Sequence, residues 1–324
     1  HLFSMLNGAS SFNSSKINNL VGSAGIDLTS QDSWLGLHQP GGKEHIQTES
    51  AGPGKAFGHG ASQMTDSMAV YDLFYRLDNN LANNSVDYSL NYLEPIFKAG
   101  SAMDANTLES LVNALGKLLV AGYQSLGPGQ RNVREDLYSR INQIQGVIPS
   151  SGTTIDSLPV FATSTIINMA KGIDLNTNDS LAYRYALKEL NPFAVRGLDY
   201  SNANRNGELD LFDPVTNKGS LSDSWINDRT VMLAWVMKAN TEKSSSNTNP
   251  LVVQDDNLSG DPWFYDDRIT GTTMLVHPSG LYFGENRKVV FGKDTADTIN
   301  GGLNTDRLYG GGGNDTINGY DGND

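Results

Sequence analysis

The feature that most constrains this chain is a nine-residue repeat that runs through residues 292–324. Aspartates occupy every ninth position, at Asp297, Asp306, Asp315 and Asp324. Each aspartate closes a glycine-led hexapeptide, and an apolar residue follows two positions later in the first three repeats: Ile299, Leu308 and Ile317. A flexible linker of similar Gly, Asn and Asp content does not keep aspartates and apolar residues in phase, so the pattern predicts stacked turns and short strands.

The residue types in each repeat are those of a calcium site. Glycine permits tight turns that aim carbonyl oxygens at one point, and a carboxylate adds the charge that a hard cation such as Ca²⁺ needs. The predicted ligands fall at positions one, three, four and six of the hexapeptides: Asp297, Gly301, Asn304, Asp306, Gly310, Gly312, Asp315, Gly319, Asp321 and Asp324. One repeat buries almost no apolar surface, so stacking and Ca²⁺ together must stabilise the array.

With these residues the tail resembles the RTX proteins, which carry the GGxGxDxUx repeat and which Gram-negative bacteria export by type I secretion. The resemblance implies a C-terminal parallel β-roll with two repeats in each coil. Asp297 and Asp315 would then stack on one edge, and Asp306 and Asp324 on the other. The resemblance also implies the type I secretion machinery as a partner, a secreted, extracellular location, and folding outside the cell where calcium is plentiful.

Two repeats depart from the RTX pattern. Lys293, Asp294 and Thr295 stand where Gly, any residue and Gly are usual. In the second repeat, Asn304 replaces the fourth-position glycine. We therefore expect the outermost coil to be a weak or capping one.

Composition limits the class of protein. The chain has 324 residues, no cysteine and a formal net charge of −13, so it holds two or three units without a disulfide framework or thiol chemistry. The acidic balance argues against a nucleic-acid partner, because phosphate binding needs clustered Lys and Arg. No apolar run has the length of a transmembrane segment, and no signal segment opens the chain. The chain starts without Met and stops inside a repeat, so we expect it to be a fragment of a longer protein.

The first eighty residues predict strand, acid loop, strand, histidine loop and helix. The two strands are predicted at residues 17–21 and 44–49, and the amphipathic helix at residues 63–80. Asp27 follows the first strand, and His59 lies between two glycines after the second. The glycines would let the imidazole project into a cleft while Asp27 orients it, as in an α/β-type serine hydrolase. Ser62 or Asp66 is the expected N-cap of the helix.

Three stretches extend this layout: Asn7-Gly-Ala-Ser-Ser-Phe12, Asn18-Asn-Leu-Val-Gly-Ser-Ala-Gly25, and Gly58-His59-Gly60 with the helix after it. They resemble the C-terminal part of the lipase domain in large RTX lipases and phospholipases. The resemblance implies that Asp27 and His59 are the acid and base of a triad that acts on a lipid or ester substrate. That family carries its Gly-x-Ser-x-Gly nucleophile further upstream, and these residues contain none, so we expect this chain alone to be nearly inactive.

Alternatives remain for both residues. His59 could be a surface loop histidine, and Asp32 or Glu49 could replace Asp27 as the acid. A loop at 202–213 copies the EF-hand spacing of oxygen side chains, but asparagines replace the usual aspartates, which favours an Asn-rich turn over a calcium site.

The middle of the chain predicts helices with apolar residues at three-to-four spacing, at 90–99, 108–121, 133–144, 166–171, 180–190 and 228–241. This all-helical region is either a mobile cap over a lipase cleft or a rigid packing domain, and its apolar stripes favour packing. A linker is expected at 244–249, a hairpin between 272–276 and 281–283, and a further strand at 288–291.

The expected fold is mixed. Residues 1–80 are expected to be the C-terminal part of a hydrolase-like domain, and residues 81–241 a helical region. Residues 242–290 would form a linker with a strand cap, and residues 291–324 the β-roll. Two functions compete: part of a secreted calcium-dependent lipolytic serine hydrolase, or a non-catalytic secreted calcium-binding adhesin or toxin segment.

Overall fold

A computed structural model describes residues 18–22, 42–46, 61–78, 80–81, 86–100, 107–125, 134–149, 152–158, 163–173, 176–242, 250–280 and 285–324. Within these residues the fold is mixed α/β. The helices are α1 (Ala61–Leu77), α2 (Val86–Ala99), α3 (Thr107–Leu119), α4 (Arg134–Gln145), α5 (Thr163–Lys171), α6 (Thr177–Lys188) and α7 (Asp223–Glu242). The strands are β1 (Asn18–Gly22), β2 (Gly42–Ile46), β3 (Thr154–Ser157), β4 (Phe193–Arg196), β5 (Leu251–Gln254), β6 (Trp263–Asp267), β7 (Thr272–His277), β8 (Arg287–Phe291), β9 (Thr298–Gly302), β10 (Arg307–Tyr309) and β11 (Thr316–Tyr320).

The N-terminal strands β1 and β2 form a parallel pair, in register from Asn18 opposite Gly42 to Gly22 opposite Ile46. Both overlap the segments predicted as strands, and α1 follows them as predicted. The sequence does not specify whether the two strands run parallel or antiparallel, so their parallel direction comes from the structure alone. Asp27 and His59 lie outside the described residues, so their catalytic role stays a prediction.

Helix α1 begins at Ala61, before the predicted start at residue 63. Asp66 therefore lies inside the helix, and its predicted role as N-cap is wrong; Ser62 also falls within the helix. Asp66 is 5% exposed and accepts a hydrogen bond from Tyr138 Oη of α4 at 2.5 Å. Met68 is 48% exposed, since the buried face consists of Val70, Tyr71, Leu73, Phe74 and Leu77. That face contacts α3 and α4 as well as β2 and β3, so α1 packs on helices and not on a sheet alone.

The helical region contains every predicted helix, with bounds shifted by a few residues. The prediction of an all-helical region is wrong in one respect: β3 and β4 form an antiparallel pair within it. Strands of four residues between turn sequences carry almost no period, which explains why the sequence pattern missed them. Tyr92 of α2 donates to the Ile155 carbonyl at 2.6 Å and ties the pair to the helices.

One hydrophobic core runs from Val70 in α1 to Phe291 in β8. Helix α7 contacts α2, α5, α6 and β5, so it joins the helices to the C-terminal sheet. Core residues lie on both sides of the predicted boundary at residue 242, for example Met237 and Val253. The helical region and the strands after it therefore share their apolar interior.

The main polar contact in this core is an ion pair between Arg229 of α7 and Asp267 of β6. Both side chains are 0% exposed, and Arg229 Nη2 lies 2.8 Å from Asp267 Oδ2. The same guanidinium donates to the carbonyls of Leu187 and Lys188, at 2.7 Å and 2.5 Å, at the end of α6. It also lies 4.8 Å from the centre of the Phe291 ring. Arg229 thus holds α6, α7 and the sheet together.

The C-terminal sheet has the strand order β10-β8-β6-β7-β5, and β9 and β11 form a separate pair. Strand β7 pairs antiparallel with β6 and parallel with β5. Residues 281–283, predicted as the partner of β7, lie outside the described residues, as does the linker at 244–249. No pattern in the sequence predicted β5 and β6. In the described chain, no helix combines the length and hydropathy that crossing a bilayer requires.

Candidate calcium-binding array

The tail repeats with a spacing of 18 residues. Strand β10 pairs in parallel with β8, Leu308 opposite Val290, and β11 pairs in parallel with β9, Ile317 opposite Ile299. The offset corresponds to two nine-residue repeats, and we call the two hexapeptides and two short strands within one offset a coil. Strand β8 shares the register, although its aspartate position holds Lys288.

The aspartates connect successive coils through the backbone. Asp315 Oδ1 accepts a hydrogen bond from the Asp297 N–H at 2.9 Å, and Asp324 Oδ1 accepts one from the Asp306 N–H at 2.7 Å. The first edge of the array thus comprises hexapeptides 292–297 and 310–315, and the second edge comprises 301–306 and 319–324. The hydrogen bonds thus join Asp297 to Asp315 and Asp306 to Asp324, and the RTX assignment stays a prediction.

Glycine is required where hexapeptides of adjacent coils touch. Gly311 has φ +85°, and a Cβ there would lie 2.1 Å from the Lys293 carbonyl oxygen. A Cβ on Gly301 would lie 2.4 Å from the Gly319 carbonyl oxygen and 2.7 Å from Asp306 Oδ2. Main-chain and carboxylate oxygens therefore converge on space that only a glycine leaves open.

Asp306 is the strongest sign that a cation belongs to this array. The residue is 2% exposed, and its Oδ1 accepts the Lys288 N–H at 2.7 Å. Its Oδ2 is buried and has no hydrogen-bond partner. A buried carboxylate oxygen without a partner costs about 1–3 kcal/mol or more. A Ca²⁺ ion, which takes carboxylate and carbonyl oxygens at about 2.3–2.6 Å, would remove that cost.

On the second edge, burial of the predicted ligands decreases away from the protein body: Asp306 is buried, whereas Asp321 and Asp324 are exposed. On the first edge, Asp297 and Asp315 are both half-buried. The apolar positions also become more exposed along the array: Ile299 is 0% exposed and Ile317 is 47% exposed. Ile317 is thus not buried as predicted, because within the described chain no further coil covers it.

The remaining predicted ligands also lie between coils. Asn304 donates from Nδ2 to the Glu285 carbonyl at 2.6 Å, so its side chain links the 301–306 hexapeptide to the coil before it. Gly310 and Gly319 lie against the carboxylates of their own repeats: a Cβ there would be 2.4 Å from Asp315 Oδ2 and 2.3 Å from Asp324 Oδ2, respectively. Gly312 faces the backbone of Asp294 on the first edge.

Two basic side chains that the sequence analysis missed lie at the base of the array. Arg268 Nη1 lies 3.1 Å from Asp297 Oδ1, and Lys288 Nζ donates to the Gly301 carbonyl at 2.6 Å. The Lys293 N–H, and to a lesser extent Arg268, hold the pKa of Asp297 below its ordinary value. A signal for Lys288 exists in the sequence: it stands nine residues before Asp297.

Polar contacts anchor the first coil to the helices. Lys188 of α6 lies 2.8 Å from Asp294, one of the residues that departs from the RTX pattern. Asp228 of α7 is 5% exposed, pairs with Arg307 and accepts a hydrogen bond from Tyr309 Oη at 2.6 Å. Desolvation, with this hydrogen bond, raises the pKa of Tyr309. Asp294, which departs from the repeat pattern, therefore helps to attach the first coil to the helices.

The EF-hand-like loop at 202–213 forms local turns. Asn204 donates from Nδ2 to Asp210 Oδ1 at 2.9 Å, and Asp213 accepts from the Val215 N–H at 2.9 Å. These contacts agree with the Asn-rich turn. Among the residues that the structure describes, no three His, Asp or Glu side chains form a group that could hold a metal. A site built from main-chain carbonyls and single carboxylates does not contain such a group.

Comparison with known proteins adds no assignment. No protein-family model matches the chain, no curated protein matches it, and no solved structure matches it.

Proposed function

We propose that the tail is a calcium-binding parallel β-roll in a secreted, calcium-dependent lipolytic serine hydrolase. The observation that carries the calcium part is the buried, unpartnered Asp306 Oδ2 between hexapeptides stacked at 18-residue spacing. On the second edge, Asp306 and the Gly319 carbonyl are the groups that would hold the ion. On the first edge, Asp315 and carbonyls of the two facing hexapeptides would do so.

Calcium would supply positive charge and cross-links between coils. The chain carries a formal net charge of −13, and the array stacks its carboxylates on two edges, so repulsion opposes folding without a cation. Extracellular calcium modules bind with Kd of about 10⁻⁴–10⁻³ M. The calcium-dependent part of such an array stays unfolded at cytosolic calcium, passes through the type I secretion machinery, and folds outside.

The hydrolase part of the proposal is supported by the direction of the N-terminal strands. Because β1 and β2 are parallel, their carboxyl ends lie at the same edge of the pair. Asp27 follows β1 in the sequence and His59 follows β2. Residues after the carboxyl ends of neighbouring parallel strands are the ones that build active sites in α/β folds. His59 would act as general base and acid, Asp27 would orient it, and a serine encoded upstream would attack a lipid or ester carbonyl.

Calcium titration of the whole chain tests the array. We expect Ca²⁺ to increase the β-structure signal in circular dichroism, because binding and folding of the coils are coupled. The variant Asp306→Ala with Asp315→Ala should lose this increase, whereas Asp256→Ala, an exposed aspartate outside the array, should keep it. If millimolar Ca²⁺ changes neither the signal of the unaltered chain nor the heat measured by calorimetry, the array proposal is wrong.

The coding sequence upstream tests the hydrolase. We expect a Gly-x-Ser-x-Gly motif within about a hundred residues before His1, since the α/β-type triad runs Ser, Asp, His along the chain. In a protein that includes this segment, His59→Ala should lower ester hydrolysis by roughly 10⁴-fold or more while His38→Ala leaves it unchanged. An upstream region without such a motif would favour the non-catalytic adhesin or toxin segment.

A further inference from the structure

We infer that two of the protein's own cations, Lys288 and Arg268, replace calcium at the base of the array. The first coil would then form without metal, and calcium sites would begin only beyond it. The inference rests on the proposed calcium array and concerns which of its coils need the ion. The observations behind it are the contacts of Lys288 and Arg268 with the first two hexapeptides of the array.

Lys288 occupies the aspartate position of a further repeat, nine residues before Asp297, in which the aspartate itself is missing. Its N–H donates to Asp306 Oδ1 at 2.7 Å, and the Asp306 N–H donates in the same way to Asp324 Oδ1 one coil later. Val290, two residues on, is buried opposite Leu308, as the apolar position of a repeat should be. Strand β8 therefore keeps the register of the repeats, and the charge at its aspartate position is reversed.

The Lys288 ammonium lies among the oxygens of the second edge. Nζ donates to the Gly301 carbonyl at 2.6 Å. A Cβ built on Gly302 would lie 3.7 Å from that Nζ, 3.6 Å from Asp306 Oδ2 and 3.8 Å from Glu285 Oε2. The ammonium thus donates to one carbonyl oxygen and brings a positive charge near two carboxylates, while Asp306 Oδ2 itself keeps no hydrogen-bond partner. These are the oxygen types that calcium would otherwise hold on this side of the 301–306 hexapeptide.

Arg268 has the corresponding position on the first edge. Its Nη1 lies 3.1 Å from Asp297 Oδ1 and donates to the Thr298 carbonyl at 3.0 Å. Eighteen residues before Asp297 the chain has Ser279, so no aspartate of an earlier coil faces it. The guanidinium supplies the positive charge there, and Asp266 at 3.3 Å orients it.

Each edge of the array therefore starts on a fixed cation that belongs to the protein. In a linear array each coil contacts only its neighbours, so the first coil must form against something other than another coil. The contacts of Lys288 and Arg268 would fix the register of the first coil without metal, and calcium-dependent coils would then add to it one by one. The array would then fold outward from the protein body.

The test compares three variants of the whole chain: Lys288→Met, Lys288→Asp and, as a control, Lys218→Met, an exposed lysine outside the array. Calcium-free hydrogen exchange and calorimetric calcium titration are the two measurements. In the unaltered chain without calcium, we expect the amides of 288–291 and 306–309 to be protected and those of 315–320 to exchange fast. Lys288→Met should lose that protection and raise the calcium midpoint about tenfold, because a charge-assisted hydrogen bond is lost.

Lys288→Asp is the decisive variant, since it restores the aspartate of the repeat. We expect it to lose protection without calcium, to recover it with calcium, and to bind one more ion per chain than the unaltered protein. If the unaltered chain binds calcium and Lys288→Asp binds the same number of ions with unchanged protection, the inference is wrong while the array proposal survives. If the unaltered chain binds no calcium, the array proposal itself fails.

Discussion

Replacing Arg229 with Met is expected to destabilise the fold by about 3–5 kcal/mol, the usual result of removing one partner of a buried ion pair. The pair is fully buried, so Asp267 would be left as an uncompensated charge at 0% exposure. Two carbonyls at the end of α6 would also lose their donor. Because Arg229 joins α6, α7 and the sheet, the loss should lower the stability of all three together.

Urea unfolding at a fixed excess of calcium measures this effect, since bound calcium itself would stabilise the native state. Arg76→Met is the matched control: Arg76 pairs with Asp72 at 2.8 Å, but both side chains are more than half exposed, and such pairs contribute about 0–1 kcal/mol. The double variant Arg229→Met with Asp267→Asn should cost less than the two single variants together, because it leaves no buried charge. A loss below about 1 kcal/mol in Arg229→Met would contradict the role given to the pair.

Replacing Gly311 with Ala is expected to prevent the outer coil from stacking and to raise the calcium midpoint more than about tenfold. The left-handed backbone alone costs a residue with a Cβ about 1–2 kcal/mol. In addition, the Cβ would lie 2.1 Å from the Lys293 carbonyl oxygen, closer than any real contact, so hexapeptides 292–297 and 310–315 would have to separate. The measurement is circular dichroism during calcium titration.

The variant Gly271→Ala separates the cost of the left-handed backbone from the cost of the clash between coils. Gly271 has φ +77°, and a Cβ there would meet nothing within 4 Å, so this variant carries the backbone strain without a clash between coils. It should lower the free energy of unfolding by about 1–2 kcal/mol and leave the calcium midpoint nearly unchanged. Equal effects of the two substitutions on the midpoint would show that close stacking of the hexapeptides does not matter for calcium binding.

The helices could be predicted because their signal is local. Apolar residues at three-to-four spacing in α3 and α6 face one side of a single helix, and no distant partner is needed to recognise them. Strands β3, β4, β5 and β6 escaped prediction because a segment of four or five residues forms a strand only through its neighbours. Tyr265 of β6, for example, pairs with Met274 of β7 and Val289 of β8.

The candidate calcium site likewise has some features that the sequence predicts and others that it does not. The predicted ligands follow from a strict period, so their positions could be located without any structure. The burial of Asp306, the exposure of Ile317 and the contacts of Lys288 with the second edge could not, since they depend on where the stack begins and what lies against it.

The period of nine residues by itself determined which side chains lie on an edge and which face inward, because a repeat imposes the same backbone path on every coil. Only the tertiary structure decided which cations stand at the base of the stack. Arg268 and Asp297 are 29 residues apart, and Arg229 and Asp267 are 38 apart, so no local pattern connects them. Charges at such separations become partners only when packing of the apolar core brings their elements into contact.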